Sequence, residues 1–188
     1  MRIISGIFRG KKLNAPVNLP VRPTTDYAKT GLFNILANNF DFTKISAVDL
    51  YAGTGSISYE LFSRGCTRII AVDIHAGCIQ FIRQTLLLLK APSSVSTVKS
   101  DVQAFLERVT TPVDLILADP PFENTPAEEL VESIFSRDLI RKNGLFVLEH
   151  HSKNSYDSIN GFKEKRKYGN VTFSFFSPEA RNKKVPQE

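Results

Sequence analysis

Short apolar runs rich in β-branched residues alternate with longer amphipathic stretches from about residue 45 onward. This alternation is typical of strand–helix–strand units, which build a parallel sheet covered by helices. The apolar runs predict five strands: Ile45 to Leu50, Arg68 to Asp73, Val95 to Lys99, Val113 to Ala118 and Leu145 to His150. Apolar residues three and four positions apart predict four intervening helices: Ser56 to Arg64, Ala76 to Lys90, Val102 to Val109 and Pro126 to Phe135.

The pattern changes after the fifth strand. Lys163 to Tyr168 and Val171 to Phe176 are two strand-like runs with only Gly169 and Asn170 between them. Such a short connection containing glycine predicts an antiparallel hairpin. We therefore expect seven strands, mostly parallel, with an antiparallel C-terminal hairpin.

A helix and a small hairpin are predicted before the sheet. Thr24 to Phe40 is predicted to be helical, and its apolar residues share one face: Ala28, Leu32, Ile35, Leu36 and Phe40. The residues available to cap its first turn are Thr24, Thr25 and Asp26. Arg2 to Leu13 is predicted as a basic β-hairpin that turns at Arg9-Gly10.

The length of 188 residues fits one domain with a small appendage. We predict a single α/β domain over 1–188, with an N-terminal extension over 1–40, a catalytic core over 41–180 and a disordered tail over 183–188. No apolar run approaches the roughly 18 residues of a membrane span, and no signal-peptide pattern is present. Cys66 and Cys78 lack the spacing of metal or disulfide sites. We expect a cytoplasmic protein without membrane attachment, whose cysteines are reduced packing residues.

The net charge of +5 is unevenly distributed along the chain. Residues 1–30 hold six Lys/Arg and one Asp (+5), residues 31–150 hold ten basic and fourteen acidic residues (−4), and residues 151–188 hold eight basic and four acidic residues (+4). Basic ends on an acidic body suit a polyanion such as nucleic acid, because Lys and Arg contacts to phosphate release counterions. Solvated tails on an ordinary enzyme are the alternative.

A glycine-rich turn follows the first predicted strand, in the sequence Asp49-Leu50-Tyr51-Ala52-Gly53-Thr54-Gly55. Such a turn between a strand and a helix lets the backbone approach a ligand at the sheet edge. Ser58 stands where a dinucleotide-binding turn would have a third Gly or Ala. Asp49 precedes the glycines, where it can accept a hydrogen bond from a cationic amine. This arrangement suits a sulfonium amino acid better than a phosphate.

Two further aspartates lie at strand ends, since Asp73 ends the second predicted strand and Asp101 follows the third. Asp73 is placed to accept from both ribose hydroxyls of a nucleoside, and Asp101 can accept from an adenine amino group enclosed by Ile74 and Val102. A helix N-cap is the alternative role for each aspartate. The complete set of expected cofactor-binding residues is Asp49, Tyr51, Ala52, Gly53, Gly55, Asp73, Ile74, Asp101, Val102 and Asp119.

The fourth strand leads into Asp119-Pro120-Pro121-Phe122. Two consecutive prolines fix φ and lack N–H donors, so they hold a rigid bend with outward carbonyls. Asp119 and the carbonyl of Pro120 can then accept hydrogen bonds from one planar NH2 group, while Phe122 stacks on an unpaired base. We expect these four residues to form the catalytic run, although a proline-rich strand exit with a core phenylalanine is the alternative.

These motifs resemble the class I S-adenosylmethionine methyltransferases that modify amines, in which D/N-P-P-Y/F/W follows the fourth strand. The N-terminal stretches Arg2 to Gly6 and Arg22 to Asp26 extend the likeness, as does Ser63-Arg64-Gly65. Over most of residues 1–150 the chain is similar to the bacterial 16S ribosomal RNA guanine-N2 methyltransferase family (RsmD type). The resemblance implies a Rossmann-like fold and S-adenosyl-L-methionine as cofactor, with S-adenosyl-L-homocysteine as product. It also implies RNA contacts from Arg2, Arg9, Lys11, Lys12, Arg22 and Lys29.

The chain departs from the family pattern at Tyr27-Ala28-Lys29-Thr30, where members commonly have Arg-Val-Arg-Glu. Lys29 keeps one of the positive charges, so the departure affects the contacts of this helix more than the reaction type. No metal site is expected, since His150 and His151 are strand neighbours that point to opposite faces.

The expected partner is ribosomal RNA or the small ribosomal subunit, including an assembly intermediate of it, with a monomer as the default state. The alternative acceptors are adenine N6 in DNA or RNA and a protein glutamine amide. A non-enzymatic ribosome-assembly factor and a nicotinamide oxidoreductase are the other readings. Intact Asp49, Gly53, Gly55, Asp73 and Asp119 disfavour the assembly factor, because binding RNA does not need them. Ser58 and the Asp-Pro-Pro-Phe run disfavour the oxidoreductase.

Overall fold

A computed structural model describes residues 1–16, 19, 25–91, 93–121 and 127–181. Its helices are α1 (Asp26–Asn39), α2 (Ser56–Ser63), α3 (Ala76–Leu88), α4 (Val102–Arg108), α5 (Ala127–Ser136) and α6 (Pro178–Arg181). Its strands are β1 (Ser46–Leu50), β2 (Arg68–Asp73), β3 (Val95–Lys99), β4 (Val113–Ala118), β5 (Ile140–His151), β6 (Phe162–Tyr168) and β7 (Val171–Phe176). The predicted starts at Thr24 and Pro126 and the predicted tail lie outside the described residues.

The seven strands form one sheet in the order β3-β2-β1-β4-β5-β7-β6. β1 to β5 are parallel, and β7 pairs antiparallel with both β5 and β6. The predicted fold class, a mostly parallel α/β sheet with an antiparallel C-terminal hairpin, is therefore confirmed. The chain reverses its direction across the sheet between β1 and β4, and ligands bind beyond the carboxyl ends of the strands at such a switch point.

Each face of the sheet packs on its own layer of helices. α1, α2 and α3 cover one face, called here the α1 face, and α4 and α5 cover the other. Successive strand residues alternate between the two layers, so that Ala47 packs on the α1 face and Val48 on the opposite face. The same alternation puts Asp49 on the α1 face at the carboxyl end of β1.

The observed bounds of the predicted elements agree with the sequence pattern within two residues, except at the start of β5. This strand begins at Ile140, five residues before the predicted Leu145. Exposed polar residues from Arg141 to Asn143 and the glycine at 144 hide the early part from the apolar pattern. The pairing register also shifts between Val113 and Leu115 of β4, which accommodates the irregular start. The short helix α6 was not predicted.

The N-terminal segment, residues 1–13, differs from the predicted hairpin. It has a single β-bridge, between Arg2 and Lys12, rather than two strands turning at Arg9-Gly10. The connection spans residues 5–10, with Gly6 and Gly10 at positive φ. The physical reason is competition for backbone groups, because the N–H groups of Ile4 and Ser5 donate to the Glu60 side chain of α2 instead of a facing strand.

Two sequence expectations concern features of the described residues. Cys66 and Cys78 are both free and buried, as expected of packing residues. Among the helices described, none is long and apolar enough to cross a membrane.

Candidate active site

The glycine turn after β1 is held in a left-handed backbone conformation at three positions. Tyr51, Gly53 and Gly55 have φ of 57°, 54° and 78°. A Cβ added to Gly55 would lie 2.9 Å from atoms of Tyr59 and Ile82, so a larger residue would force these side chains to move. Positive φ at a non-glycine residue such as Tyr51 is uncommon and occurs at ligand-binding turns. The turn therefore lies where the sequence predicted it, with its backbone at the carboxyl edge of the sheet.

Asp49 is buried beneath this turn. Its Oδ2 accepts hydrogen bonds from the backbone N–H of Ser58 at 3.1 Å and from the Ser58 hydroxyl at 2.6 Å. Burial raises the pKa of Asp49 to about 7, although both Ser58 hydrogen bonds favour the ionised form. Ser58 thus orients the carboxylate. The sequence had marked Ser58 only as a departure from dinucleotide-binding turns, and this supporting role was missed.

Asp73 connects the end of β2 to the turn. Its Oδ2 accepts from the N–H of Gly53 at 2.8 Å, and its Oδ1 accepts from the N–H of His75 at 2.8 Å. Beside it, the apolar side chain of Ile74 is 57% exposed. An exposed isoleucine next to a buried carboxylate fits a site whose apolar wall is covered when a flat ring is bound.

Asp101 is the exposed N-cap of α4, and its Oδ1 accepts from the N–H of Ala104 at 3.1 Å. This was the alternative role considered from the sequence. A cap of this kind leaves the second carboxylate oxygen directed away from the helix, so the adenine contact stays a prediction. Val102 is buried in the core beneath Asp101.

Asp119 follows β4 at the same edge of the sheet. Burial is the main cause that raises the pKa of Asp119 well above its usual range, and the charges of Glu149 and Asp49 raise it further. Pro120 is buried and Pro121 is exposed, so the two-proline segment leads from the core to the surface. Phe122, the predicted stacking residue, lies outside the described residues.

A small cavity of about 20 Å³ on the α1 face lies between the carboxylates of Asp49, Asp119 and Glu149. Its walls are formed by Leu32, Asp49, Ile57, Leu117, Ala118, Asp119, Val147, Glu149 and Phe173. Glu149 was missed as a site residue, because one acid within an apolar strand gives no pattern. The feature of the sequence that could have identified Glu149 is its position near the carboxyl end of β5, next to the strand that Asp119 follows. A larger open depression, beside Ile140 and Arg181, lies at the amino end of β5, away from this chemistry.

The residues present fit a cationic nucleoside cofactor. Asp49, Asp119 and Glu149 bring negative charge to one partly enclosed place, and no group of the described residues has the composition of a metal site. The glycine turn and Asp73 offer backbone and carboxylate groups to a ribose, while Ile74 offers an apolar surface to a base. Burying several carboxylates together is unfavourable unless a positive charge compensates them.

The predicted RNA contacts divide into three groups. Arg9, Lys11 and Lys12 are exposed, and Arg2 is exposed but paired with Asp26 at 3.1 Å. Arg22 lies outside the described residues. Among the described members of the set, Lys29 is buried, and the prediction for it requires a correction.

Lys29 is only 1% exposed, so the prediction that it contacts RNA is wrong for this structure. Its Nζ donates to the carbonyl of Arg2 at 2.7 Å and to the Ser56 hydroxyl at 3.0 Å, and it lies 4.0 Å from the Glu60 carboxylate. The physical reason is that the α1 position facing α2 is enclosed by the N-terminal segment. Lys29 thus joins α1, this segment and the first residue of α2.

This strand order, with the glycine turn after β1 and the acidic Asp-Pro-Pro segment after β4, defines the class I S-adenosylmethionine-dependent methyltransferases. The family described as Conserved hypothetical protein 95 matches residues 1–177, and the chain belongs to this family. The resemblance noted in the sequence is thereby confirmed.

Individual relatives match between 80% and 96% of the chain. Ribosomal RNA small subunit methyltransferase D of Escherichia coli (strain K12) is 27% identical over 184 residues, covering 96% of this chain and 91% of that protein. The Bacillus subtilis (strain 168) protein YlbH is 31% identical over 153 residues, covering 80% and 82%. Among solved structures, yhhF from Escherichia coli superposes with a TM-score of 0.82 at 26% identity, covering 94% and 96%.

Proposed function

We propose that the protein methylates the exocyclic N2 amine of a guanine in small-subunit ribosomal RNA. The observation that carries the proposal is Asp119, held beside Asp49 and Glu149 at the carboxyl edge of the sheet and followed by two prolines. The relatives named ribosomal RNA small subunit methyltransferase D support the choice of RNA.

The proposed role of Asp119 is to orient the amine. In the ionised form its carboxylate accepts a hydrogen bond from the NH2 group, and the carbonyl of Pro120 accepts a second. An exocyclic amine is a poor nucleophile because its lone pair is delocalised into the base, and two fixed acceptors favour a more pyramidal nitrogen. A protonated Asp119 would instead donate to the nitrogen lone pair and block it. The ionised state is therefore the active one.

Residues of β1, β2 and α4 would hold the cofactor. Asp49 and the turn around Gly53 would bind its amino-acid part, and Asp73, Ile74 and Asp101 its nucleoside. When bound, the cofactor supplies a sulfonium methyl group, whose carbon bonds to the amine nitrogen while the carbon–sulfur electron pair remains on sulfur. The amine then loses one proton, and the ionised carboxylates beside it are placed to take it. Protein groups contribute mainly orientation.

The N-terminal segment is suited to position the RNA. Lys29 and Ser56 hold the backbone of Arg2 against the start of α2. The backbone of Lys12 forms a β-bridge with that of Arg2. The backbone of Arg2 therefore lies beside the start of α2, which directly follows the glycine turn, and the side chains of Arg2 and Lys12 are exposed. Phosphate contacts from them would supply affinity without reading the base. The proposed partner is small-subunit RNA, free or in an assembling subunit, within the cytoplasm.

Mass spectrometry of digested ribosomal RNA tests this function directly. Cells with and without the gene are compared, and loss of a single N2-methylguanosine from small-subunit RNA is expected. The purified protein should restore this nucleoside when supplied with labelled cofactor and RNA from the deletion cells. An unchanged nucleoside profile would reject ribosomal RNA as substrate and direct attention to adenine N6 or a glutamine amide. Restoration by an Asp119→Asn variant at the normal rate would instead indicate a different catalytic group.

A further inference from the structure

Two tyrosines, called here the tyrosine pair, form an aromatic contact at the surface beside the candidate site. Tyr27 lies in the first turn of α1 and is 69% exposed. Its ring meets that of Tyr168 edge to face, with the two centroids 5.6 Å apart. In an edge-to-face contact, each ring keeps at least one face that the other ring does not cover. The tyrosine pair therefore offers aromatic surface to a ligand from solvent.

The tyrosine pair is supported by the sheet and by the backbone of α1. Tyr168 ends β6, which runs in the same direction as β5, since both strands are antiparallel to β7. Tyr168 therefore lies at the carboxyl edge of the parallel strands, as Asp119 does. A Cβ added to Gly31 of α1 would lie 2.1 Å from the Tyr168 ring, so this ring lies directly on the helix backbone. The close approach restrains Tyr168, and Tyr168 in turn supports Tyr27.

A chain of aromatic contacts connects the tyrosine pair to the cavity that contains Asp119. The Tyr168 ring packs on that of Phe173, with centroids 5.9 Å apart, and Phe173 forms part of the cavity wall. Leu32 of α1, the helix that carries Tyr27, forms another part of this wall. A base held at Asp119 would therefore have the tyrosine pair beside it, where a neighbouring nucleotide of the same strand can reach it.

Basic side chains lie next to each member of the tyrosine pair. Arg2 is exposed and pairs at 3.1 Å with Asp26, the residue before the first tyrosine. Arg166 is exposed, lies on the same face of β6 as the second tyrosine, and pairs with Glu164. A guanidinium has several N–H donors, so each can keep its carboxylate partner and still reach a phosphate. Aromatic rings among cations are the composition with which proteins bind single-stranded nucleic acid.

We propose that the tyrosine pair stacks on an unpaired base that flanks the target base in the RNA, and that Tyr27 makes this contact. Stacking outside the cavity holds the strand while the target base enters, and it helps to offset the stacking that the target base loses. Tyr27 is thus a positioning residue for the substrate and does not touch the reacting atoms. This proposal rests on RNA being the substrate, as proposed above, but not on the identity of the methylated base.

Steady-state methylation by the full-length protein tests the role of Tyr27, with RNA or small subunits from the deletion cells as substrate. Tyr27→Ala should raise KM for RNA by about 5- to 150-fold, the range expected for the loss of one base–aromatic contact. Its kcat should change by less than about threefold, because the reacting groups are untouched. Tyr27→Phe keeps the ring, so its KM should stay within about twofold of the wild type. An unchanged KM in Tyr27→Ala, or equal KM values for the two variants, would overturn the proposal.

Salt dependence distinguishes stacking from a change in charge. Tyr27→Ala removes no charge, so its RNA affinity should fall by the same factor at every salt concentration, and the slope of log K against log salt concentration should not change. Loss of a phosphate contact would instead reduce this slope. A reduced slope in Tyr27→Ala would mean that the substitution acts through neighbouring cations, which contradicts stacking.

Leu88→Ala is the matched control, because Leu88 is an apolar residue of similar exposure, 75%, at the end of α3 near the opposite edge strand β3. It should leave KM for RNA unchanged, and an equal rise in both variants would contradict a localised contact. Thermal unfolding confirms that each variant is folded. The outcomes also separate the two proposals. Absence of RNA methylation by the wild type would reject the RNA substrate and this contact together, whereas normal methylation with an unaffected KM in Tyr27→Ala would reject the tyrosine contact alone.

Discussion

Asp49, Asp101 and Asp119 all lie at the carboxyl ends of strands, yet their surroundings give them different chemistry. Asp101 is exposed and caps a helix, and Asp49 is buried with two donors from Ser58. Asp119 lies beside two other carboxylates, and burial raises its pKa. A helix cap needs only a local hydrogen bond, whereas a raised pKa in a shared cavity is typical of functional sites. Asp119 shares its cavity and its raised pKa with Asp49, so its position directly before two prolines is the reason that we assign the proposed amine contact to it.

Replacing Asp119 by asparagine should reduce turnover strongly. The amide cannot accept as a carboxylate does, and a positioned acid–base group typically contributes a factor of about 100 to 10,000 in rate. Cofactor affinity should change by less than about tenfold, because Asp49 and Asp73 remain. Single-turnover methylation with saturating cofactor, together with calorimetric cofactor titration, measures the two quantities. Turnover within about threefold of the wild type would exclude the proposed role.

The sequence pointed to three of the carboxylates that the structure brings to the candidate site. It missed two residues that lie next to them. Asp49, Asp73 and Asp119 lie at the carboxyl ends of parallel strands, so topology alone brings them to one edge. Ser58 and Glu149 become visible only when the register and the packing of α2 are known. Lys29 was assigned to RNA because of its charge, and its burial depends on a segment 27 residues away in the chain. Local patterns carry no information about such contacts.

At the scale of elements, a buried carboxylate joins α2 to the N-terminal segment, beside further hydrogen bonds from Ser63 of α2. Glu60 accepts from the N–H groups of Ile4 and Ser5 at 2.7 and 3.0 Å, and from Nε of Arg64 at 2.9 Å. The ammonium of Lys29 adds to its positive surroundings at 4.0 Å. Because these partners come from α1, α2 and the N-terminal segment, the network orients the segment relative to the glycine turn.

Lys29→Met should destabilise the protein by about 2 kcal/mol, because Arg2 and Ser56 lose a buried donor while Glu60 keeps its other donors. Desolvation lowers the pKa of Lys29, and its Coulombic attraction to Glu60 opposes this change. Urea unfolding measures the loss of stability. Lys12→Met, at an exposed lysine, is the control and should change stability by less than about 0.5 kcal/mol. Equal effects of the two substitutions would mean that the buried network contributes nothing particular.

Predicting the elements themselves succeeded where apolar periodicity was strong. The edges of β2, β3 and β4 agree with the sequence pattern residue by residue. The predicted strand β5 was too short, because the first residues of the observed strand are polar and pair irregularly with β4. The N-terminal hairpin was overestimated, because the N–H groups of Ile4 and Ser5 donate to Glu60 of α2, so that the backbone pairing between its two arms ends at Ile3. Tertiary competition for backbone groups explains the error in the N-terminal segment, whereas the polar start of β5 explains the other.

For the whole molecule, the raised pKa values of the buried acids predict that the free energy of unfolding decreases with rising pH. Burial raises the pKa of Asp49 from 3.8 to about 7. The folded protein thus binds this proton more tightly than the unfolded chain, and the stabilisation is complete below pH 4 and lost as pH rises through 7. Asp119 acts in the same direction. The lowered pKa of Lys29 has the opposite sign, and its effect lies below 10.5, the ordinary pKa of a lysine.

Melting temperatures of the cofactor-free protein between pH 5 and pH 8 test this expectation. Asp49→Asn removes the titrating group, so its melting temperature should fall less with pH than that of the wild type. Comparing slopes cancels the effects of surface charge that both proteins share. Parallel curves would show that Asp49 ionises in the folded protein as it does in the unfolded chain.

The uneven distribution of charge predicts a salt-dependent RNA affinity. Replacing Lys11 and Lys12 by alanine should weaken RNA binding and reduce the slope of log K against log salt concentration by roughly 1.4, about 0.7 for each lost contact to single-stranded RNA. Filter binding at several salt concentrations gives the slope. Lys90 and Lys142, exposed at the opposite edge of the sheet, form the control pair and should leave it unchanged. Matching losses in the two double variants would argue against a localised RNA surface.

The link between Glu60 and the first residues also has a consequence during protein synthesis. Ile4 and Ser5 precede their shared partner by 56 and 55 residues, so they are translated several seconds earlier at roughly 5–20 residues per second. Throughout that interval the basic N-terminal segment has no α2 on which to order. Its final arrangement must wait for β1 and α2, and pulse-labelled amide exchange should detect protection of Ile4 and Ser5 together with α2. The region proposed to bind RNA would thus be among the first made, yet it would become ordered only together with α2.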